Sequence, residues 1–221
     1  MKKNSIVLVL LIAFTSLVAS AQQVKIEYTN KTDSLSDFMV QYFDLQGVQS
    51  YRLKLKGEFN GKRAKIKKVV CSNGLFTERQ LLQDYQHLIL SDSIEILDFM
   101  AVPSGKDSIR IACFYPMSYN QKLFEDVLCI DKMKTLMETY TAGVDDGTPL
   151  MAYTMGIPFN GGTWLCGLRD SGIEPRQWYK KFKIDGYVYY VISLEEDTPP
   201  NDNATIYVKI AKNDSYATHI Q

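Results

Sequence analysis

The chain has 221 residues, 25 basic against 25 acidic side chains, and 14 tyrosines, 10 phenylalanines and 2 tryptophans. A balance this neutral excludes a general nucleic-acid binder, which needs a broad positive excess along the phosphate backbone. The aromatic supply excludes a disordered chain, and the length suits one domain or two small ones.

Lys2 and Lys3, the apolar run Ile6–Phe14 and the small residues Ala19-Ser20-Ala21 predict a secretory signal peptide over 1–21, cleaved before Gln22. The run is shorter than the about 20 residues a bilayer span needs, and Thr15 and Ser16 interrupt it. No cysteine follows it to carry a lipid, and no second apolar segment is long enough to span, so no transmembrane segment is expected after cleavage. The paired lysines and the Gln22-Gln23 start resemble uncharacterised exported proteins of gut-dwelling Gram-negative bacteria. That resemblance covers the leader alone and implies a periplasmic or extracellular location. Loss of Lys2 and Lys3 leaves 23 basic residues against 25 acidic ones.

Val24, Ile26 and Tyr28 alternate as in a strand. Leu35, Phe38, Met39, Tyr42 and Phe43 then fall on one helix face, with Asp33 or Ser34 as cap and Gly47 as stop. Two alternating segments joined at Asn60-Gly61 predict a β-hairpin. After Gly74, Thr77 and Gln80 read as a capping box for a helix burying Leu81, Leu82, Tyr85 and Leu88. Ile94 to Val102 and Ser108 to Tyr115 flank a Pro-Ser-Gly-Lys-Asp turn as a further hairpin.

A similar order returns about a hundred residues later. Val127 to Ile130 reads as a strand, and Met133, Leu136, Met137 and Tyr140 as a helix face followed by Gly143-Val144. Phe159-Asn160-Gly161 matches Phe59-Asn60-Gly61, and Met151 to Leu168 reads as the second hairpin. Pro175 suits the first turn of a helix carrying Trp178, Tyr179 and Phe182. Tyr187 to Leu194 and Thr205 to Ala211 close the copy. The expected fold is therefore α+β: two tandem βαββαββ-like repeats, 22–118 and 119–215, on mostly antiparallel sheet, with a tail over 216–221. The alternative is a mostly-β sandwich.

Chemical motifs are sparse. His87 and His219 neighbour no nucleophile, and the chain has no His pair, Cys-x-x-Cys, Gly-x-Ser-x-Gly or phosphate loop, so no metal or cofactor is expected. Cys166, within Gly161 to Gly167, is a candidate nucleophile without an evident base. Glu195-Glu196-Asp197 with Asn201-Asp202-Asn203 lacks the ligand spacing of a calcium loop. Cys71, Cys113, Cys129 and Cys166 allow two disulfides in three connectivities, or four buried thiols.

One pattern is electrostatic. A two-residue Asn60-Gly61 turn pairs Glu58 with Arg63, Lys56 with Lys65 and Lys54 with Lys67. Tyr51, Leu53, Leu55, Phe59, Ala64, Ile66 and Val70 then share the core face, and Arg52, Lys54, Lys56, Arg63, Lys65 and Lys67 share the other. Like charges facing each other cost roughly 0.2–1 kcal/mol per pair, which function would have to justify. The expected function is a non-catalytic exported module binding an anionic polysaccharide, lipid headgroup or acidic protein surface through this ribbon. The plain alternative is a solvated face, with carboxylates such as Glu27 neutralising it. A secreted hydrolase using Cys166 and a structural part of an envelope complex are the competing functions. Mass spectrometry of protein recovered from periplasm or medium is expected to show a start at Gln22; an intact Met1 on exported material refutes the leader.

Overall fold

The structure, a computed structural model, describes residues 24–30, 35–59, 61–82, 88–90, 94–116, 121–129, 135–141 and 147–196. The leader, His87, His219, the loop after Glu196 and the strand expected over Thr205 to Ala211 lie outside them. In chain order the elements are β1 (Lys25–Asn30), α1 (Asp37–Gln46), β2 (Gln49–Lys56), β3 (Lys62–Ser72), β4 (Leu75–Gln80), β5 (Leu88–Leu90), β6 (Ile94–Pro103) and β7 (Ser108–Tyr115). There follow β8 (Gln121–Cys129), β9 (Thr135–Glu138), β10 (Thr148–Thr154), β11 (Ile157–Phe159), β12 (Gly162–Trp164), α2 (Leu165–Arg169), α3 (Pro175–Phe182) and β13 (Gly186–Glu196).

Two antiparallel sheets carry the fold, one in the order β1-β2-β6-β7-β8 and the other β4-β3-β13-β10-β9, with β5 also on β3. They pack face to face. Leu53, Leu55, Leu97, Phe99 and Ile111 of the first sheet meet Ile66, Leu136, Leu150, Val188, Tyr190 and Ile192 of the second. The second sheet has another core on its far side, where Val69, Cys71, Ala152, Tyr187, Tyr189 and Val191 meet Leu168 of α2 and Trp178 of α3. It is therefore the middle of three layers. Its strands β10 and β13 read as nearly unbroken apolar runs, as strands buried on both faces do, whereas β2 alternates.

The sheets are joined by polar contacts at both sides. Tyr28 on edge strand β1 donates to Leu150 O at 2.8 Å, and burial pushes its phenol up to about 12. Leu136 N donates to Gln49 Oε1 at 2.8 Å nearby. On the other side, Lys68 of β3 reaches Asp126 of β8 at 2.7 Å, with the Tyr190 hydroxyl 3.4 Å from the same carboxylate. The two charged side chains are only 13% and 7% exposed.

Several expectations need correction. The helix expected after Gly74 does not start at Thr77: Asn73 and Gly74, at φ +50 and +81, form a two-residue hairpin turn, and Leu75–Gln80 pairs with β3 from Ser72↔Leu75 onward, while 83–87 of that expected helix lie outside the described residues. Of the helix expected over Met133 to Tyr140, Thr135–Glu138 is strand β9, because Leu136 and Met137 serve the two opposite cores of the middle sheet. Among the described residues the element order of 24–115 is not found again in 121–196, and the arrangement is mostly antiparallel sheet with few helices. The helix expected at Leu35–Phe43 does form as α1, ending at Gly47 with φ +66. None of its residues is buried, and Phe38, Tyr42 and Leu45 are exposed, since strand side chains fill both cores. The 94–115 hairpin and the Pro175 helix form as expected. Among the described residues no helix is long and apolar enough to cross a membrane.

Removing one member of a buried ion pair strands the other charge, at about 3–5 kcal/mol. Lys68→Met is therefore expected to destabilise by about that much in urea unfolding, and Lys68→Met with Asp126→Leu to regain most of it. A single variant as stable as the parent contradicts the closed inter-sheet pair.

Candidate functional site

The six basic residues of the expected ribbon do not share a face. Lys62 N donates to Phe59 O at 2.8 Å, so the chain turns between them. The strands it joins nevertheless part. Phe59 is wholly buried between the sheets with Gly57 against its ring, so β2 enters the first sheet and β3 the second. The core-facing set is as alternation predicts, with Leu53, Leu55, Ala64 and Ile66 all buried. Arg52, Lys54 and Lys56 consequently lie on the outer face of the first sheet, and Arg63, Lys65 and Lys67 on the outer face of the second. The lysine pairs expected of the ribbon do not face each other: Lys54 lies across from Glu27 and Ile96, Lys56 from Lys25 and Ile94, Lys65 from Ser193, and Lys67 from Val191 and Gln80.

Most of these charges are also matched by carboxylates. Arg52 grips Asp98 through Nε and Nη2 at 2.8 and 2.9 Å, and that carboxylate raises the guanidinium's pKa. Lys56 bonds Glu27, which it holds below its ordinary range. Lys65 meets Glu195 at 2.7 Å, and Lys67 meets Glu78 at 3.0 Å. Arg63 faces Glu195 in register. The expectation of an unmatched basic face is overturned, because each sheet supplies acidic neighbours that a lone hairpin lacks.

Lys67, one of the six, lines a cavity. On the outer face of the second sheet, α3 covers the part holding Cys71 and Tyr187, and the start of the helix overhangs a small groove partly open to solvent. Val69, Tyr189 and Val191 line it together with Pro149 and Pro175, and Lys67, Glu174 and Arg176 supply its charge. The helix start is fixed by three local features. Pro175 occupies the first turn, where its missing N–H costs nothing. Trp178 Nε1 donates to Ile173 O at 2.7 Å, and the Tyr187 hydroxyl donates to Pro175 O at 2.6 Å. Across the groove, Gly147 has φ +113 and a Cβ there would meet Ile192 O at 2.4 Å, so only glycine lets the chain pass that close.

The charges converge on one carboxylate. Glu78 of β4 takes Lys67 Nζ at 3.0 Å and Arg176 Nη1 at 3.3 Å, and the guanidinium also lies 5.5 Å over the Phe76 ring. Two cations held around one acidic group beside an apolar floor suit a ligand with an anionic end and an apolar body. Among the described residues no serine, cysteine, threonine or histidine lines the groove.

The other candidates stay apart from it. Cys166 is exposed on α2, its carbonyl accepting from Asp170 N at 2.9 Å. All four cysteines are free, Cys71 and Cys113 buried in different cores and Cys129 exposed. Glu195 is taken by Lys65. Among the described residues no three His, Cys, Asp or Glu side chains cluster as metal ligands do. Glu78, Glu174, Arg176 and Tyr189 went unread as site residues. The Pro175 helix start was visible in the sequence, but its meeting with Lys67 comes only from β3 lying beside β13. Comparison with protein-family models, curated proteins and solved structures finds no match to this chain.

The ion pairs differ in burial, and stability tests that difference. Asp98 is 1% exposed, so Arg52→Gln is expected to cost about 2 kcal/mol or more in urea unfolding, less than for a fully buried pair because solvent reaches Arg52. Lys54→Gln and Lys65→Gln are expected to stay within about 0.5 kcal/mol of the parent. Equal effects at all three positions contradict this ranking.

Proposed function

We propose that this protein is a non-catalytic exported binding module that takes an anionic ligand in the groove between the second sheet and the start of α3. The observation that carries the reading is the convergence of Lys67 and Arg176 on Glu78 beside an apolar floor. An incoming carboxylate would replace Glu78 between the two cations, while its body rests on Val69 and Val191. The groove is small and partly open to solvent, which favours a single acidic sugar or short acid over a broad protein surface. A uronate at the end of an acidic polysaccharide meets those terms. In this reading Glu78 is a built-in competitor that keeps the cations in place when no ligand is bound.

The test is an NMR titration of the mature protein with glucuronate and hexanoate, with glucose and hexanol as neutral counterparts. Amide shifts at Val69, Gly147, Arg176 and Val191 are expected with an acid and not with its neutral counterpart, fading as salt screens exposed charge. Lys67→Gln and Arg176→Gln are each expected to weaken binding about tenfold, the loss of one charge-assisted hydrogen bond. Glu78→Gln is expected to strengthen it by removing the competitor. Shifts elsewhere, or affinity unchanged in the doubly substituted Lys67→Gln, Arg176→Gln protein, overturn the proposal.

A further inference from the structure

The short β11–β12 hairpin carries a pair of aromatic rings that no core uses. It is closed by Asn160 and Gly161, at φ +45 and +78, in the register Ile157↔Trp164, Pro158↔Thr163 and Phe159↔Gly162. Alternation therefore puts Phe159 and Trp164 on one face, with Gly162 leaving the position across from Phe159 empty. The two rings are 60% and 53% exposed, their centroids 6.1 Å apart and their planes inclined at 48°. The hairpin's base is anchored, since Ile157 and Leu165 pack against the second core.

Trp164 is held in place. A Cβ at Gly167 would sit 2.5 Å from the indole, so that glycine lets the ring lie directly on the backbone of α2. One face of the ring is thereby closed and the remainder meets solvent. The chain's other tryptophan behaves differently: Trp178 is wholly buried and its N–H donates to Ile173 O. The Trp164 indole N–H has no partner among the described residues.

The surroundings select the ligand chemistry. From Met151 to Leu168 the chain contains no Lys, Arg, Asp or Glu. Anionic membrane surfaces and acidic proteins both call for basic residues beside the apolar ones, and this hairpin has none. A pyranose ring offers an uncharged C–H face for stacking and hydroxyls for the indole N–H and the Asn160 amide at the tip. We propose that the β11–β12 hairpin is a carbohydrate-binding platform on which Trp164 stacks against a neutral pyranose, with Phe159 flanking the neighbouring unit. Because the rings are fixed before binding, little side-chain freedom is lost on contact. The platform is independent of the groove at Lys67.

Tryptophan emission of the mature protein reports on it, because acrylamide reaches Trp164 and not the buried Trp178. The protein is titrated with cellohexaose, xylohexaose, mannohexaose and maltohexaose. At least one is expected to protect Trp164 from quenching and shift its emission to the blue. Trp164→Ala is expected to abolish binding of that saccharide and Phe159→Ala to weaken it about tenfold, both at an unchanged melting temperature. Lys67→Gln with Arg176→Gln should leave it intact, which separates this platform from the groove. Protection by none of the four, or saccharide binding that survives Trp164→Ala, overturns the proposal. So does protection of Trp164 by phosphatidylcholine vesicles or by self-association in place of a saccharide.

Discussion

Strand β13 sends Val188, Tyr190 and Ile192 into one core and Tyr187, Tyr189 and Val191 into the other, so the second sheet carries apolar side chains that need cover on both faces. Burying such a side chain is worth about 1.5–3 kcal/mol, an upper figure because unfolded chains already hide part of that surface. One side is covered by the first sheet, whose own outer face stays wet and charged. The other is covered by α2, α3 and the residues between them, where Trp178 and Leu168 dock. That cover is incomplete. It stops short of Lys67, and the groove lies where it stops.

The same layering organises the charge. A hairpin of β2 on β3 would have set Lys56 against Lys65 and Lys54 against Lys67, each opposition unfavourable. Placing the strands in different sheets removes those oppositions and brings Glu27, Asp98, Glu78 and Glu195 alongside the basic residues. Where the sheets face each other, the charged pair Lys68 with Asp126 is enclosed and bonded, as buried charge must be. It fixes how β8 sits over β3, because any slip would leave two desolvated charges without partners.

Both proposed binding features belong to the third layer. The groove uses the start of α3, and the hairpin platform is held through Ile157 and Leu165 packed on the same core. Their chemistries differ: the groove holds cations around a carboxylate, and the hairpin is uncharged with exposed rings. Each is fixed by burial beneath it, through Trp178 and Tyr187 in one case and Gly167 in the other.

Asn-Gly occurs three times, at Asn60-Gly61, Asn73-Gly74 and Asn160-Gly161, and the three outcomes show what is locally encoded. The second and third close hairpins; the strands that flank the first, β2 and β3, go to different sheets. Phe59 and Phe159 precede the same Asn-Gly pair, yet one is wholly buried and the other 60% exposed. The sequence by itself determined turn positions, the sorting of Leu53, Leu55, Ala64 and Ile66 to a core face, the stop at Gly47 and the start at Pro175, because these depend on backbone preferences and side-chain alternation over a few residues. The hairpin signal at Asn73-Gly74 was equally legible, though the capping-box pattern after it pointed to a helix. Only the tertiary structure decided that Leu136 and Met137 lie on a strand, since apolar residues serving both faces of a buried sheet imitate a helical stripe. It also decided which strands pair, and so which charges meet. That choice rests on covering the middle sheet on both sides, a requirement set by residues far apart in the chain.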